Sequence, residues 1–187
     1  MTINQKLWGK VVLSAYNYLE RLCGSLDSLI EKTAVNSYYT SSINANDYSI
    51  ETISRKIIEY SNRKIGYINL KLIIEKALKG ISEQESKLLI LKFIQKMPIE
   101  KACNLLKISK RSSYRKLERA LAKFVAMLVC LGYTTEKLEL EYSSDPFICS
   151  ILALIKRNNY LIDEKANVIT NGSIFNNYVN ELMSNAI

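Results

Sequence analysis

Residues 80–125, GISEQESKLLILKFIQKMPIEKACNLLKISKRSSYRKLERALAKFV, decide how this chain folds. The stretch divides into three helices with two tight breaks, and its last helix is the most basic segment of the sequence. Ser82 and Glu85 make an S-x-x-E pair, the capping-box pattern that satisfies free backbone N–H groups where a helix starts. Leu88, Leu89, Leu91, Phe93 and Ile94 then give the first helix a broad apolar face. Met97-Pro98 stops it, and Pro98 suits the first turn of the next helix, where its missing N–H is not needed. The second helix, about Ile99 to Leu106, is expected to bury Ala102, Leu105 and Leu106. Ser109 is placed to cap a third helix from Lys110 to about Leu131.

On that third helix Ser113, Leu117, Ala120, Leu121 and Phe124 recur at three- and four-residue spacing, which makes one apolar face. The opposite face carries Lys110, Arg111, Arg115, Lys116, Arg119 and Lys123. A short helix, a tight turn and a basic helix are the parts of a helix-turn-helix, whose second helix enters the major groove of DNA.

Lys96 to Phe124 resembles the helix-turn-helix of region 4 of bacterial sigma factors, a module shared with small phage and mobile-element regulators. Ala102, Leu105, Leu106, Ile108, Ser109, Leu117, Arg119 and Ala120 fall where that family has its core residues, its turn Ser and its R-A pair. The preceding SEQESKLLILKF resembles the family's leading helix. The chain has Ser86 where the family has Arg, Leu91-Lys92-Phe93 for its Leu-Arg-Tyr, Cys103 for its usual Ala, and Lys107 for its usual turn Gly. The resemblance implies a bacterial or phage transcription regulator with double-stranded DNA as partner. In a sigma-like version RNA polymerase is a second partner.

Charge is unevenly spread. Residues 51–125 carry eighteen basic and seven acidic groups, residues 1–50 four of each, and residues 126–187 four basic and seven acidic. The whole positive excess therefore lies with the proposed helix-turn-helix, and a localised basic field suits a polyanion. Nearly half of the 187 residues are hydrophobic and only two are proline, so a sizeable core is expected and disorder is not. Cys23, Cys103, Cys130 and Cys149 have no C-x-x-C spacing and the chain has no histidine, which excludes a Cys/His zinc site. They read as small buried apolar residues in a reducing cytosol. No signal peptide and no membrane-spanning run are recognised, so the expected location is cytoplasmic.

The expected fold is all-α: an N-terminal helical segment and linker (1–48), a helical bundle holding the helix-turn-helix (49–131) and an acidic, mainly helical extension (132–187). Thr2 to Thr33 reads as one long amphipathic helix, or two joined near Gly24. Its apolar stripe faces either the core or a second copy of the chain, so a homodimer stays open. The polar Asn36–Asp47 is the expected linker. A helix from Ser49 to Lys64 is expected to bury Ile50, Ile53, Ile57 and Tyr60, with a break at Gly66. A further helix then turns Ile68, Leu70, Ile73, Ile74 and Leu78 inward and stops at Gly80. Thr134 and Asp145-Pro146 are helix starts. Tyr160–Ile162 and Val168–Thr170 suggest a small hairpin, and Ser173 caps a last helix.

For chemistry, the helix-turn-helix geometry would present Lys110, Arg111, Ser112 and Arg115 to base edges, with Tyr114 reaching a thymine methyl or a phosphate. Lys116, Arg119 and Lys123, farther along, would meet phosphates, with Lys101 and Lys107 flanking. Without histidine, Ser-His and Cys-His nucleophile pairs are impossible. No Gly-rich phosphate loop occurs, so neither catalysis nor a cofactor is expected. A helical module that docks on RNA polymerase or another regulator without reading DNA is the other functional class.

Overall fold

The computed structural model describes residues 2–40, 50–160 and 171–184, and these form an all-α protein. The helices are α1 (Ile3–Thr40), α2 (Ile50–Lys79), α3 (Glu83–Leu89), α4 (Ile99–Leu105), α5 (Ser113–Cys130), α6 (Thr135–Tyr142), α7 (Pro146–Tyr160) and α8 (Asn171–Ser184). A π-helical turn, Ile90–Ile94, prolongs α3, and a 3-10 turn, Lys110–Ser112, precedes α5.

The long α1 is the axis of the molecule. Leu7, Trp8, Val11, Val12, Leu13 and Ala15 are all buried, which is burial on more than one face. A helix apolar around much of its circumference must be enclosed by others, and α1 packs against α2, α5, α6, α7, α8 and the π-turn. Its stripe from Leu7 to Leu29 therefore lies inside the chain's own core, not on a second copy. One continuous helix passes through Gly24 and runs on to Thr40, across the first residues of the expected linker. The rest of that linker and all but Tyr160 of the expected hairpin lie outside the described residues. Tyr160 ends α7.

Gly66 does not break α2, which is one helix of 30 residues. A glycine inside a helix costs only about 1 kcal/mol relative to alanine, and burial of Tyr60, Tyr67 and Leu70 on either side of it outweighs that. The Gly66 carbonyl also accepts a hydrogen bond from the Tyr142 hydroxyl at 3.0 Å. The first turns of α2 stand away from the core: Ile50 is 84% exposed, Ile53 and Ile57 are half-buried, and Ile68 points outward. Ile58, Ile65, Ile68 and Leu72 together make an exposed apolar stripe along this helix.

Close approaches fix how α1 and α2 meet α5. A Cβ at Gly9 would lie 2.6 Å from Val125 Cγ2 and 3.3 Å from Leu121 Cδ1. At Gly80 it would run into the Met127 side chain. Gly80 does follow the end of α2, through contact with α5 and not through a left-handed backbone, since its φ is not positive.

The C-terminal helices are tied to α2 by a buried polar network. Asp145 caps α7, its Oδ1 accepting the Ile148 N–H at 2.9 Å, while its Oδ2 accepts the Tyr67 hydroxyl at 2.6 Å. The Tyr67 and Tyr178 hydroxyls are 3.2 Å apart, and Arg63 donates to Tyr178 at 3.1 Å. Burial first, then the neighbouring Asp145 carboxylate, push the Tyr67 hydroxyl pKa far above its usual value. Thr134 caps α6, accepting the Lys137 N–H at 3.3 Å. Ser173 sits within α8, which begins at Asn171, three residues before the expected first helical residue Ile174. All four cysteines are free; Cys103 is buried, Cys23 and Cys149 are half-buried, and Cys130 is exposed, contrary to the expectation of burial.

Candidate nucleic-acid interface

A second, smaller apolar cluster lies beneath α4. Leu88 from α3, Ile99, Ala102 and Cys103 from α4, and Ile108 from the following turn are its buried members, with Leu91, Met97, Leu106 and Leu117 packed around them. Leu105, expected inside, is 65% exposed. The helix ends at Leu105, and its inner side is taken by Ile99, Ala102 and Cys103, with Ile108 from the turn.

The turn between α4 and α5 closes by backbone chemistry. Lys107 adopts φ +53°, the left-handed conformation that glycine tolerates best. The Ile108 N–H then reaches back to the Cys103 carbonyl at 2.8 Å, and the Lys107 N–H to that of Asn104 at 3.2 Å. This returns the chain sharply and drives Ile108 into the small cluster. Ser109 does not cap α5. Its carbonyl accepts the Ser112 N–H at 3.0 Å and the Ser112 hydroxyl at 3.1 Å, closing the 3-10 turn from which α5 emerges.

On α5 the inner face is as the spacing implies. Ser113, Ala120, Leu121 and Phe124 are buried and Leu117 is half-buried. Arg111, Tyr114, Arg115, Lys116 and Arg119 are exposed, Tyr114 by 69%. Arg115 and Arg119, four residues apart on α5, share one outward strip, and Arg111 is exposed on the 3-10 turn before it, not on the helix as the sequence suggests. Ser112 is half-buried and its hydroxyl is engaged in the turn, so it is not a free base-reading group as expected. The backbone of Lys110 lies in the 3-10 turn; its side chain is outside the described residues. Lys101 and Lys107 are exposed beside the strip.

Two acidic groups, Glu118 and Glu85, modify this surface. Glu118 pairs with Lys6 at the start of α1, so α1 flanks α5 from this point onward and the first two turns of α5 remain the open part. Glu85 accepts from Lys123 at 2.7 Å and from the Ser82 hydroxyl at 2.6 Å. Lys123 and then Ser82 hold its carboxyl below the usual glutamate range. The S-x-x-E spacing suggests a capping box, but the Ser82 side chain makes no cap hydrogen bond and donates to Glu85 instead, and no local pattern shows that Glu85 reaches a lysine 38 positions away.

Among the described residues no three His, Cys, Asp or Glu side chains converge in a metal-holding group. Of the acidic run after Gly132, Glu139 accepts from Asn4 and Trp8, Glu141 pairs with Lys137, and Asp145 is the α7 cap. No helix among the described residues is long and apolar enough to cross a membrane. Comparison with protein-family models, with curated proteins and with solved structures returns no match.

Proposed function

We propose that this chain is a sequence-specific DNA-binding regulator of transcription that uses α4, the Lys107 turn and α5 as a helix-turn-helix resembling sigma region 4. The observation that carries the reading is the pairing of a left-handed turn at Lys107 with an exposed arginine strip on the helix it launches. The turn sits where the resembled family keeps its glycine. Arg111, on the 3-10 turn, and Arg115, on the open first turns of α5, would read base edges, and an Arg bidentate to guanine discriminates by roughly 1–3 kcal/mol. Tyr114 beside them offers a ring to a thymine methyl.

The test is selection of bound sequences from a random duplex pool at near-physiological salt, with the Arg111→Ala/Arg115→Ala protein as control. A defined motif that the double variant loses is the expected outcome. Equal selection by both proteins would remove the direct-readout assignment.

One observation favours a second reading, docking on RNA polymerase or another regulator. The exposed stripe Ile58, Ile65, Ile68 and Leu72 on α2 is apolar surface of the kind that protein partners cover. Charge reversal on α5 would leave such docking intact while abolishing DNA binding.

A further inference from the structure

Beside the arginine strip, between the start of α3 and the middle of α5, lies a cleft of about 160 Å³. Gln84, Glu85, Lys116 and Arg119 line it, with the buried Leu88 and Ile108. Lys116 and Arg119 come from one helix at i, i+3 spacing, so both cations flank the same opening. Neither has an ion-pair partner among the described residues, in contrast to Lys6 and Lys123 on either side of them. The one acid on the wall, Glu85, is already held by Lys123 and Ser82. The cleft therefore keeps a surplus of two positive charges, and the exposed Gln84 amide adds a neutral donor at its rim.

We propose that this cleft holds a phosphate of the DNA backbone, gripped by Lys116 and Arg119 from α5 and by Gln84 from α3, and that Lys123 acts without touching DNA, by neutralising Glu85. The assignment rests on the DNA-binding reading above and adds to it an anchoring element outside the helix-turn-helix. It also changes the role of Lys123. Removing that lysine leaves a bare carboxylate on the wall of a phosphate site, so the loss is caused by Glu85 and is reversible by neutralising it.

The test uses the full chain and a random-sequence duplex, with affinity followed against salt. Absence of salt-dependent binding by the unmodified protein would defeat the DNA reading itself. Where binding is present, Lys116→Gln/Arg119→Gln is expected to lower the slope of log affinity against log salt by about 1, the value of one lost phosphate contact. Gln84→Glu, at an exposed position, is expected to weaken binding on all sequences alike. Lys123→Gln is expected to weaken binding, and Glu85→Gln in the same chain to restore it. Failure of that restoration would show that Lys123 meets DNA directly, and wild-type binding by Gln84→Glu would place the cleft off the phosphate path; either result overturns the proposal. Inorganic phosphate at matched concentration is expected to leave the Gln84 and Lys116 amide resonances unshifted. Saturable shifts with it alone would make the cleft a free-anion site and overturn the duplex assignment.

Discussion

The core around α1 and the cluster under α4 are made of the same kinds of side chain at very different scale. Among the described residues, thirty-two buried ones drawn from α1, α2, the α3–π-turn segment, α5, α6, α7 and α8 make the first, whereas five make the second. Opening free energy follows the amount of apolar contact a unit must expose, so the large core sets global stability and the small cluster is the easier part to open. Helix α5 spans both: Leu121, Phe124 and Val125 belong to the large core, while Leu117 also packs on the small one. The basic helix is thus held rigidly at its middle, and its first turns rest on the more yielding unit. The part proposed to meet DNA is the part that rests on the smaller cluster.

The comparison can be broken most directly at its strong end. Leu19, fully buried on α1, when replaced by alanine should cost about 2–5 kcal/mol, the range for such truncations. The midpoint of denaturant unfolding should fall for every probe at once. Ile99→Ala in the small cluster removes a similar side chain. Its expected effect is faster amide exchange confined to α4 and the Lys107 turn, with a smaller fall in the global midpoint. Equal global loss from the two variants would merge the two regions into one cooperative unit.

Tyr67 sharpens the picture of the large core. Its folded pKa is raised above the ordinary value of 10.0, so the protonated form is favoured in the native state. That contribution is fully present below the unfolded pKa and is lost as pH rises beyond it. Stability should therefore decline above about pH 10, and Tyr67→Phe should flatten that decline. At neutral pH the same change should cost about 1.5–3 kcal/mol, since it removes a hydrogen bond to a charged group. An unchanged alkaline slope in Tyr67→Phe would assign the decline to other groups.

The smallest expected effect has the opposite sign and belongs to the small cluster. Lys107 holds a left-handed backbone that costs a non-glycine residue roughly 1–2 kcal/mol. Lys107→Gly should stabilise the turn by about 1 kcal/mol or slightly less, after the greater freedom of the unfolded glycine is counted. Thermal unfolding and exchange at Ile108 measure it. A loss of stability would mean that the lysine side chain contributes more than its backbone costs.

What could be read from the sequence was local. The Asp145 and Thr134 caps, the inner face of α5 and the sharp stop between α4 and α5 rest on neighbours within a few positions. They appear where expected. Gly66 misled because propensity is a small energy and the burial of Tyr60 and Tyr67 is a larger one supplied from outside the helix. Ile50 and Leu105 misled because apolar spacing marks a face without saying whether anything covers it. Ser112 and Lys123 looked free because the groups that engage them, the folded Ser109 turn and Glu85, are set by geometry and not by residue type. Which helix would stand at the centre was likewise not legible, because every stripe asks for burial and only tertiary packing ranks them.

That central helix precedes in the chain nearly everything that encloses it. Trp8 hydrogen-bonds to Glu139, and Tyr18 packs its ring against Phe147 and Phe175, more than a hundred residues later. A ribosome delivers α1 long before these partners exist, and contacts between distant residues are slow to form because the intervening loop must first close. Until α7 has been made, the flank of α1 that faces it has no permanent cover. During synthesis this flank is therefore open to chaperone capture, and a chain halted near Gly132 would already have α2 and α5 against α1 but would leave its α7- and α8-facing side uncovered.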